Sequence, residues 1–145
     1  MNRRVLCGLL LSLAIANGFA RETRVEPDAP AGAALAGQWA PVSAEMGGKD
    51  FPVANFGGAS LNMAEKTYEF AGDQGTYTVV STAPPARMDI HGEHGPNAGK
   101  LIPALYAVDG DRLDVSYQLG PGVRPRDFTS PAGSQILVVH YKRTH

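Results

Sequence analysis

The sequence predicts an all-β protein, folded as a small up-and-down antiparallel barrel of about eight strands. Short runs of alternating apolar and polar residues recur along the chain, as in strands that bury one face. Gly and Pro, 17 and 11 of the 145 residues, separate these runs, and no stretch keeps a helical apolar spacing for three turns. A barrel is expected rather than a sandwich, because closure removes exposed strand edges.

Residues 1–20 have the order of regions that is typical of a secretory signal peptide. Arg3 and Arg4 precede an apolar run over 5–16, and the small residues of 18–20 precede the expected cut. The apolar run is too short to span a bilayer comfortably. We therefore expect this segment to be removed and the mature protein to be periplasmic or secreted, with no membrane insertion after cleavage.

Cleavage would also remove Cys7, the single cysteine of the chain. The mature protein then has no disulfide and depends on core packing. Loss of Arg3 and Arg4 leaves eleven Lys and Arg against fourteen Asp and Glu, a net charge near −3. Because these charges are scattered and form no basic run, neither nucleic acid nor an anionic membrane surface is expected as a partner.

The mature chain is expected to contain one folded domain. Residues 21–34 mix charged residues with Pro, Ala and Gly and have no apolar period, which predicts a flexible N-terminal arm. Residues 35–145 are long enough for one core and too short for two ordinary domains. We expect this domain to be a monomer.

Strand and turn patterns define the predicted barrel. The clearest strand is 112–119, with apolar residues on one face and Asp114, Ser116 and Gln118 on the other. An Asp-Gly pair at 109–110 predicts a hairpin with a strand at 105–108. The final strand is dense in β-branched and apolar residues and is expected to be central or covered. Further strands are expected at 38–44, 59–64, 68–70, 77–79, 87–91 and 135–142, with a second hairpin around 72–75.

Gly37 and Trp39 form a Gly-x-Trp pattern at the first predicted strand, and Arg143 stands at the end of the last. This combination resembles the calycin group, which includes the lipocalins. In calycins a tryptophan at the closed end of the barrel is covered by an arginine from the final strand. The resemblance thus implies a lipocalin-like barrel with a structural cation–π pair of Trp39 and Arg143.

The second half contains five characteristic segments: 95–100, 106–113, 124–128, 130–131 and 135–143. Together they are similar to a family of small lipocalin-like domains that is abundant in planctomycetes and also found in other bacteria. The resemblance extends over nearly all of 35–143. That family has no established activity, so the resemblance implies a fold and no function.

Within that similarity, His91, Glu93 and His94 stand where polar, non-coordinating residues would be expected. Imidazole and carboxylate groups are suitable Zn²⁺ ligands, and three of them would leave one open position. On a strand His91 and Glu93 would share one face, with His94 opposite. The cluster is therefore a weak metal-site hypothesis, and ordinary surface histidines are the alternative.

No other pattern indicates catalysis. No Ser lies in a Gly-x-Ser-x-Gly turn, and Asp109, Asp111 and Asp114 are explained by turn chemistry. The Gly-rich segments 95–99 and 120–122 precede no plausible helix, so they are not phosphate-binding loops. We expect neither an enzymatic activity nor a cofactor.

The leading hypothesis is a non-enzymatic binding module for a small apolar ligand. An eight-stranded barrel has room for one small ligand or is just filled by side chains, and short strands favour a mostly filled barrel with a shallow mouth. Loops 46–58 and 121–133 are expected to gate that mouth. The predicted ligand-lining residues are Tyr68, Phe70, Tyr77, Met88, Tyr106, Leu113, Val115, Tyr117 and Tyr141.

The alternative is a protein partner. Bacterial inhibitors of secreted metalloproteases are small exported calycin barrels with a flexible N-terminal arm before Gly-x-Trp, and residues 21–34 match that position. Those inhibitors carry a disulfide, which this mature chain cannot form. A periplasmic protease inhibitor is therefore the second hypothesis, and an envelope-associated structural domain is the third.

Overall fold

The computed structural model describes residues 32–145; the predicted signal peptide and residues 21–31 of the predicted arm lie outside the described residues. Within 32–145, the regular elements are strands, apart from one 3-10 turn at Val53–Phe56. None of the helical residues in 32–145 forms a segment long and apolar enough to cross a membrane. The strands are β1 (Gly37–Met46), β2 (Lys49–Asp50), β3 (Leu61–Met63), β4 (Thr67–Phe70), β5 (Asp73–Ser81), β6 (Ala86–His94), β7 (Leu101–Asp109), β8 (Arg112–Gln118) and β9 (Ile136–Arg143).

Eight of these strands form a closed antiparallel barrel. Strands β3 to β9 pair with their neighbours in chain order, and β1 pairs with both β3 and β9. The short β2 pairs with the end of β1 and stands outside the ring. The expected all-β barrel of about eight strands is therefore confirmed, and β2 is an addition that the sequence did not predict.

Tight turns account for the up-and-down order. Gly110, with φ of 57°, and Asp111 join β7 to β8, as the Asp-Gly pattern predicts. The hairpin expected around 72–75 turns slightly earlier, at Ala71 and Gly72, and residues 73–75 already belong to β5. Both turn residues have positive φ, 51° and 82°, the conformation of a two-residue hairpin whose twist matches its strands.

The two ends of the barrel differ. The short β3–β4, β5–β6 and β7–β8 connections lie at one end, together with the start of β1 and the end of β9. The longer connections 47–60, 95–100 and 119–135 lie at the other end with the β4–β5 turn. We call these the closed end and the open end.

Trp39 and Arg143 seal the closed end. The indole is fully buried, its Nε1 donates to the Leu35 carbonyl at 2.9 Å, and the Arg143 guanidinium carbon lies 4.1 Å from the ring centroid. The same guanidinium donates from Nη1 to the Ala36 carbonyl at 2.7 Å and from Nη2 to the Ala34 carbonyl at 3.1 Å. Residues 32–34, the last of the predicted arm, are thereby held against the barrel.

Loop 119–135 covers part of the outer wall. Ser116 and Gln118 are buried although they alternate with the core-facing residues of β8, and so is Val138 beside Ser116 on β9. Arg124 anchors the loop by donating to the Met88 and Ala104 carbonyls at 2.7 and 3.0 Å and pairing with Asp89. The polar face of β8 is therefore buried in its second half, at Ser116 and Gln118, and the final strand is covered as expected.

Candidate ligand cavity

A cavity of about 210 Å³ lies inside the barrel and reaches the open end. Each strand from β3 to β9 contributes at least one side chain to its wall, and most of these are apolar or aromatic, since inward-facing residues alternate along each strand. It therefore has the form usual for a small-molecule site, concave and mostly apolar with few polar groups. The lining residues are Phe56, Leu61, Met63, Tyr68, Phe70, Ala71, Asp73, Tyr77, Met88, Ile90, Pro96, Asn97, Ile102, Tyr117, Leu119 and Leu137.

A row of aromatic rings borders the mouth. The 3-10 turn places Phe56 between Phe51 and Phe70, with ring centroids 5.3 and 5.0 Å apart. Phe70 in turn meets Tyr141 edge-on at 6.1 Å. Tilted and edge-on arrangements are favourable for aromatic pairs. Through these contacts, residues of the loop 47–60 pack against side chains inside the barrel.

Asp73 is the acidic group of the cavity, and it is only 9% exposed. Its Oδ2 accepts from the Tyr68 hydroxyl at 3.0 Å and from Asn97 Nδ2 at 2.8 Å, while Oδ1 accepts from the Asn97 backbone N–H at 3.2 Å. Three donors offset the cost of burying a carboxylate. The cluster also fastens the 95–100 connection to the start of β5, next to the mouth.

Two tyrosine hydroxyls meet deeper in the barrel. The oxygens of Tyr117 and Tyr141 are 2.8 Å apart, and either hydroxyl can be the donor. Burial raises the pKa of both, so both keep their protons at neutral pH. Tyr117 lines the cavity, whereas Tyr141 packs in the core.

The hydroxyl groups of Tyr68 and Tyr77 donate hydrogen bonds to different partners, Asp73 and the Ala64 carbonyl. Burial, reinforced by the hydrogen bond to Asp73 and by that carboxylate's charge, raises the pKa of Tyr68. Burial also raises the pKa of Tyr77 to about 12. The Tyr77 hydroxyl donates to the Ala64 carbonyl at 2.6 Å and lies 3.4 Å from the Gly32 carbonyl, so it faces the closed end while its ring lines the cavity.

The nine predicted ligand-lining residues divide between the cavity and the core. Tyr106, Leu113, Val115 and Tyr141 are buried in the core and do not line the cavity, because they belong to the half of the barrel toward the closed end. Those that do line it are Tyr68, Phe70, Tyr77, Met88 and Tyr117. The sequence analysis did not identify Asp73 or Asn97 as cavity residues, because Asp73 follows Gly72 and Asn97 lies in the Gly-rich segment 95–99, so both resemble ordinary turn residues.

Of the two loops expected to gate the mouth, only the first contributes to the cavity wall. Phe56, from the first loop, does line the cavity. No residue of 121–133 lines it, since Arg124 holds that loop against the outer wall at β6 and β7. The second loop at the mouth is instead 95–100, which contributes Pro96 and Asn97.

His91, Glu93 and His94 lie on β6 with exposed side chains. His91 pairs with Thr76 and His94 with Gln74, and Glu93 is the extra residue of the β-bulge between them. Within residues 32–145, no group of three or more His, Cys, Asp or Glu side chains is arranged to hold a metal ion. The structure therefore does not bring the predicted three ligands together as one site.

A second polar contact lies on the outer wall, away from the cavity. His140 Nδ1 is 2.6 Å from Asp114 Oδ1, across the β8–β9 pair. Asp114 lies within β8, as expected for a residue of strand 112–119, but its side chain contacts His140 and does not serve the β7–β8 turn as the turn-chemistry interpretation expected. Alternation alone cannot identify such a pair, since the register of β9 against β8 must be known.

Comparison of the chain with protein-family models, with curated proteins and with solved structures found no match in any of the three. The functional interpretation therefore depends on the cavity and the chemistry of its lining. That lining combines an apolar wall, the hydrogen-bonded carboxylate of Asp73 at the mouth and Tyr117, whose hydroxyl is paired with that of Tyr141 in the core.

Proposed function

We propose that the protein is an exported, lipocalin-like, non-enzymatic binding module that holds a small apolar ligand in the open-end cavity. The observation that carries the proposal is the apolar cavity of about 210 Å³ inside the barrel. Burial of apolar surface drives binding in such a site, at roughly 25 cal/mol for each Å² removed from water.

The cavity volume limits the size of the guest. Typical drug-sized sites measure roughly 300–1,000 Å³, while a dry apolar cavity of about 150 Å³ is enough for benzene. A volume of about 210 Å³ therefore suits a one-ring aromatic compound or a short branched hydrocarbon better than a fatty acid or a retinoid.

The export and family parts of the proposal have separate support. The order of basic, apolar and small residues in 1–20 supports a secreted or periplasmic location. The Arg143 guanidinium on the Trp39 indole, at the closed end of a barrel, supports the resemblance to calycins.

The test compares two neighbouring residues of β7. Ile102 lines the cavity, whereas Leu101 points outward and is 58% exposed. Ile102→Phe fills part of the cavity, and Leu101→Phe makes the same kind of change outside it. We expect cumene (isopropylbenzene) to raise the Tm of the mature wild-type protein and of Leu101→Phe, by about 4 °C for each kcal/mol of binding.

Ile102→Phe should lose most of that increase in Tm. Its intact far-UV circular dichroism would show that the loss comes from the filled cavity and not from unfolding. An unchanged Tm of the wild-type protein with saturating cumene, benzene and ethylbenzene would contradict the proposal, as would equal increases in both variants.

A protein-binding role through the N-terminal arm is the second candidate. Its support is the anchoring of residues 32–34 at the closed end by Arg143, which fixes where the preceding chain leaves the barrel. An inhibitor of this kind would act without the cavity. Deletion of 21–31 should then abolish inhibition of a secreted metalloprotease while cumene binding is unchanged.

A further inference from the structure

The Tyr117–Tyr141 pair holds one more proton than its own hydrogen bond uses. Each hydroxyl has one O–H hydrogen, and a single bond at 2.8 Å employs only one of the two. A buried donor without a partner is unfavourable, so the remaining hydrogen favours the orientation with an acceptor within reach.

The cavity offers the better place for that hydrogen. Tyr141 is 2% exposed and packs edge-on against Phe70, within the apolar core. Tyr117 lines the cavity. When Tyr141 donates to Tyr117, the free O–H belongs to Tyr117 and is available to a guest.

The charge of the lining excludes one class of guest. Among the described residues that line the cavity there is no Lys, Arg or His to pair with an anion. Asp73 is present instead, and its carboxylate would repel a carboxylate guest in a poorly solvated site. Its oxygens already accept three hydrogen bonds, which leaves little capacity for a donor on the guest.

We propose that the ligand is a neutral apolar molecule with one hydrogen-bond acceptor, such as a ketone or an ester, whose carbonyl accepts from the Tyr117 hydroxyl. The inference rests on the proposed function and narrows its ligand class. Specificity of this type depends on a polar group of the site that only the right guest satisfies.

The experiment uses three compounds of nearly equal size: cumene, acetophenone and benzoate. Their dissociation constants are measured by NMR titration of the mature protein at pH 7, with the wild type, Tyr117→Phe and Tyr141→Phe. Both substitutions remove one hydroxyl and keep the ring, so each is the matched control of the other.

We expect Tyr117→Phe to lower the affinity for acetophenone, relative to the affinity for cumene, about tenfold compared with the wild type. Tyr141→Phe should keep the wild-type affinity for acetophenone, since Tyr117 can still donate. Benzoate should bind more weakly than acetophenone to all three proteins.

Different failures are distinguishable. If cumene binds but Tyr117→Phe leaves acetophenone affinity unchanged, the inference is wrong while the proposed function stands. The same holds if Tyr141→Phe weakens acetophenone as much as Tyr117→Phe does, or if benzoate binds more tightly than acetophenone. If neither cumene nor acetophenone binds the wild type, both proposals are wrong.

Discussion

The side chain of Arg143 combines three contacts that only a guanidinium can make together. It lies on the Trp39 indole while its two terminal nitrogens donate to the Ala36 and Ala34 carbonyls. Gly37 beside it has φ of 140°, and a Cβ there would lie 2.5 Å from Arg143 Nη1. The closed end therefore depends on a flat, forked cation packed against a residue without a side chain.

Arg143→Lys tests this residue-scale account. An ammonium group keeps the charge but cannot stack on the indole and reach both carbonyls, so we expect the free energy of unfolding to fall by about 1–2 kcal/mol. Arg112→Lys is the control, because that side chain is 76% exposed and its ion pair with Asp114 is long, at 4.0 Å. Urea denaturation measures both, and equal effects would contradict the account.

The β4–β5 turn contains an unfavourable residue, Ala71, and is kept by the packing of its two strands. Ala71 adopts φ of 51°, a region that costs an L-residue with a Cβ about 1–2 kcal/mol. Asn-Gly is the favoured pair in such two-residue turns. The hairpin persists because Tyr68 and Phe70 on one strand and Tyr77 on the next contribute to the core and cavity.

Ala71→Asn should therefore stabilise the protein by about 0.5–1 kcal/mol, since Asn tolerates the left-handed conformation. The same substitution at Ala107, an exposed residue inside β7, should be neutral or destabilising because Asn is poor in strands. Urea denaturation compares them; a loss of stability in Ala71→Asn would show that the turn does not store this strain.

Loops were harder to predict than turns. Gly and Pro correctly marked 121–133 as a long loop, but composition does not say against which wall a loop lies. Arg124 decides that, through carbonyls of Met88 and Ala104 that are distant in the chain. Pro96 and Asn97 at the mouth were missed for a similar reason, since the partner of Asn97 is Asp73 on another strand.

At the scale of the whole molecule, the barrel could be predicted because its strands pair in chain order and alternation identifies them one by one. Closure through β1 and β9 was expected from the resemblance that Trp39 and Arg143 carry. The position of the cavity could not be predicted. Val115 and Tyr117 belong to the same face of β8, and the alternation of apolar residues does not distinguish them. Val115 nevertheless lies in the core, whereas Tyr117 lines the cavity.

All five tyrosines of the chain are buried or line the cavity, and burial raises the pKa of each above the ordinary value of 10. A tyrosine whose pKa is higher in the folded than in the unfolded protein stabilises the fold. This contribution is fully present below pH 10, the pKa of an unfolded-state tyrosine, and is lost as the pH rises through the folded-state pKa. Stability should therefore fall above pH 10, by about 1.4 kcal/mol per pH unit for each tyrosine that stays protonated.

Absorbance at 295 nm reports the tyrosinate, and circular dichroism reports the fold. We expect both signals to change together in an alkaline titration, because the tyrosines ionise only as the protein unfolds. Ionisation of most tyrosines near pH 10 with an unchanged circular dichroism spectrum would show that they are accessible in the native state.

The most direct test of ligand binding in the cavity is an NMR titration of methionine methyl groups with cumene. Residues 32–145 contain Met46, Met63 and Met88, of which the last two line the cavity. Binding in the cavity should shift the Met63 and Met88 methyl signals saturably, with one common dissociation constant. Met63 and Met88 signals that do not move at saturating cumene would contradict a ligand site in the cavity.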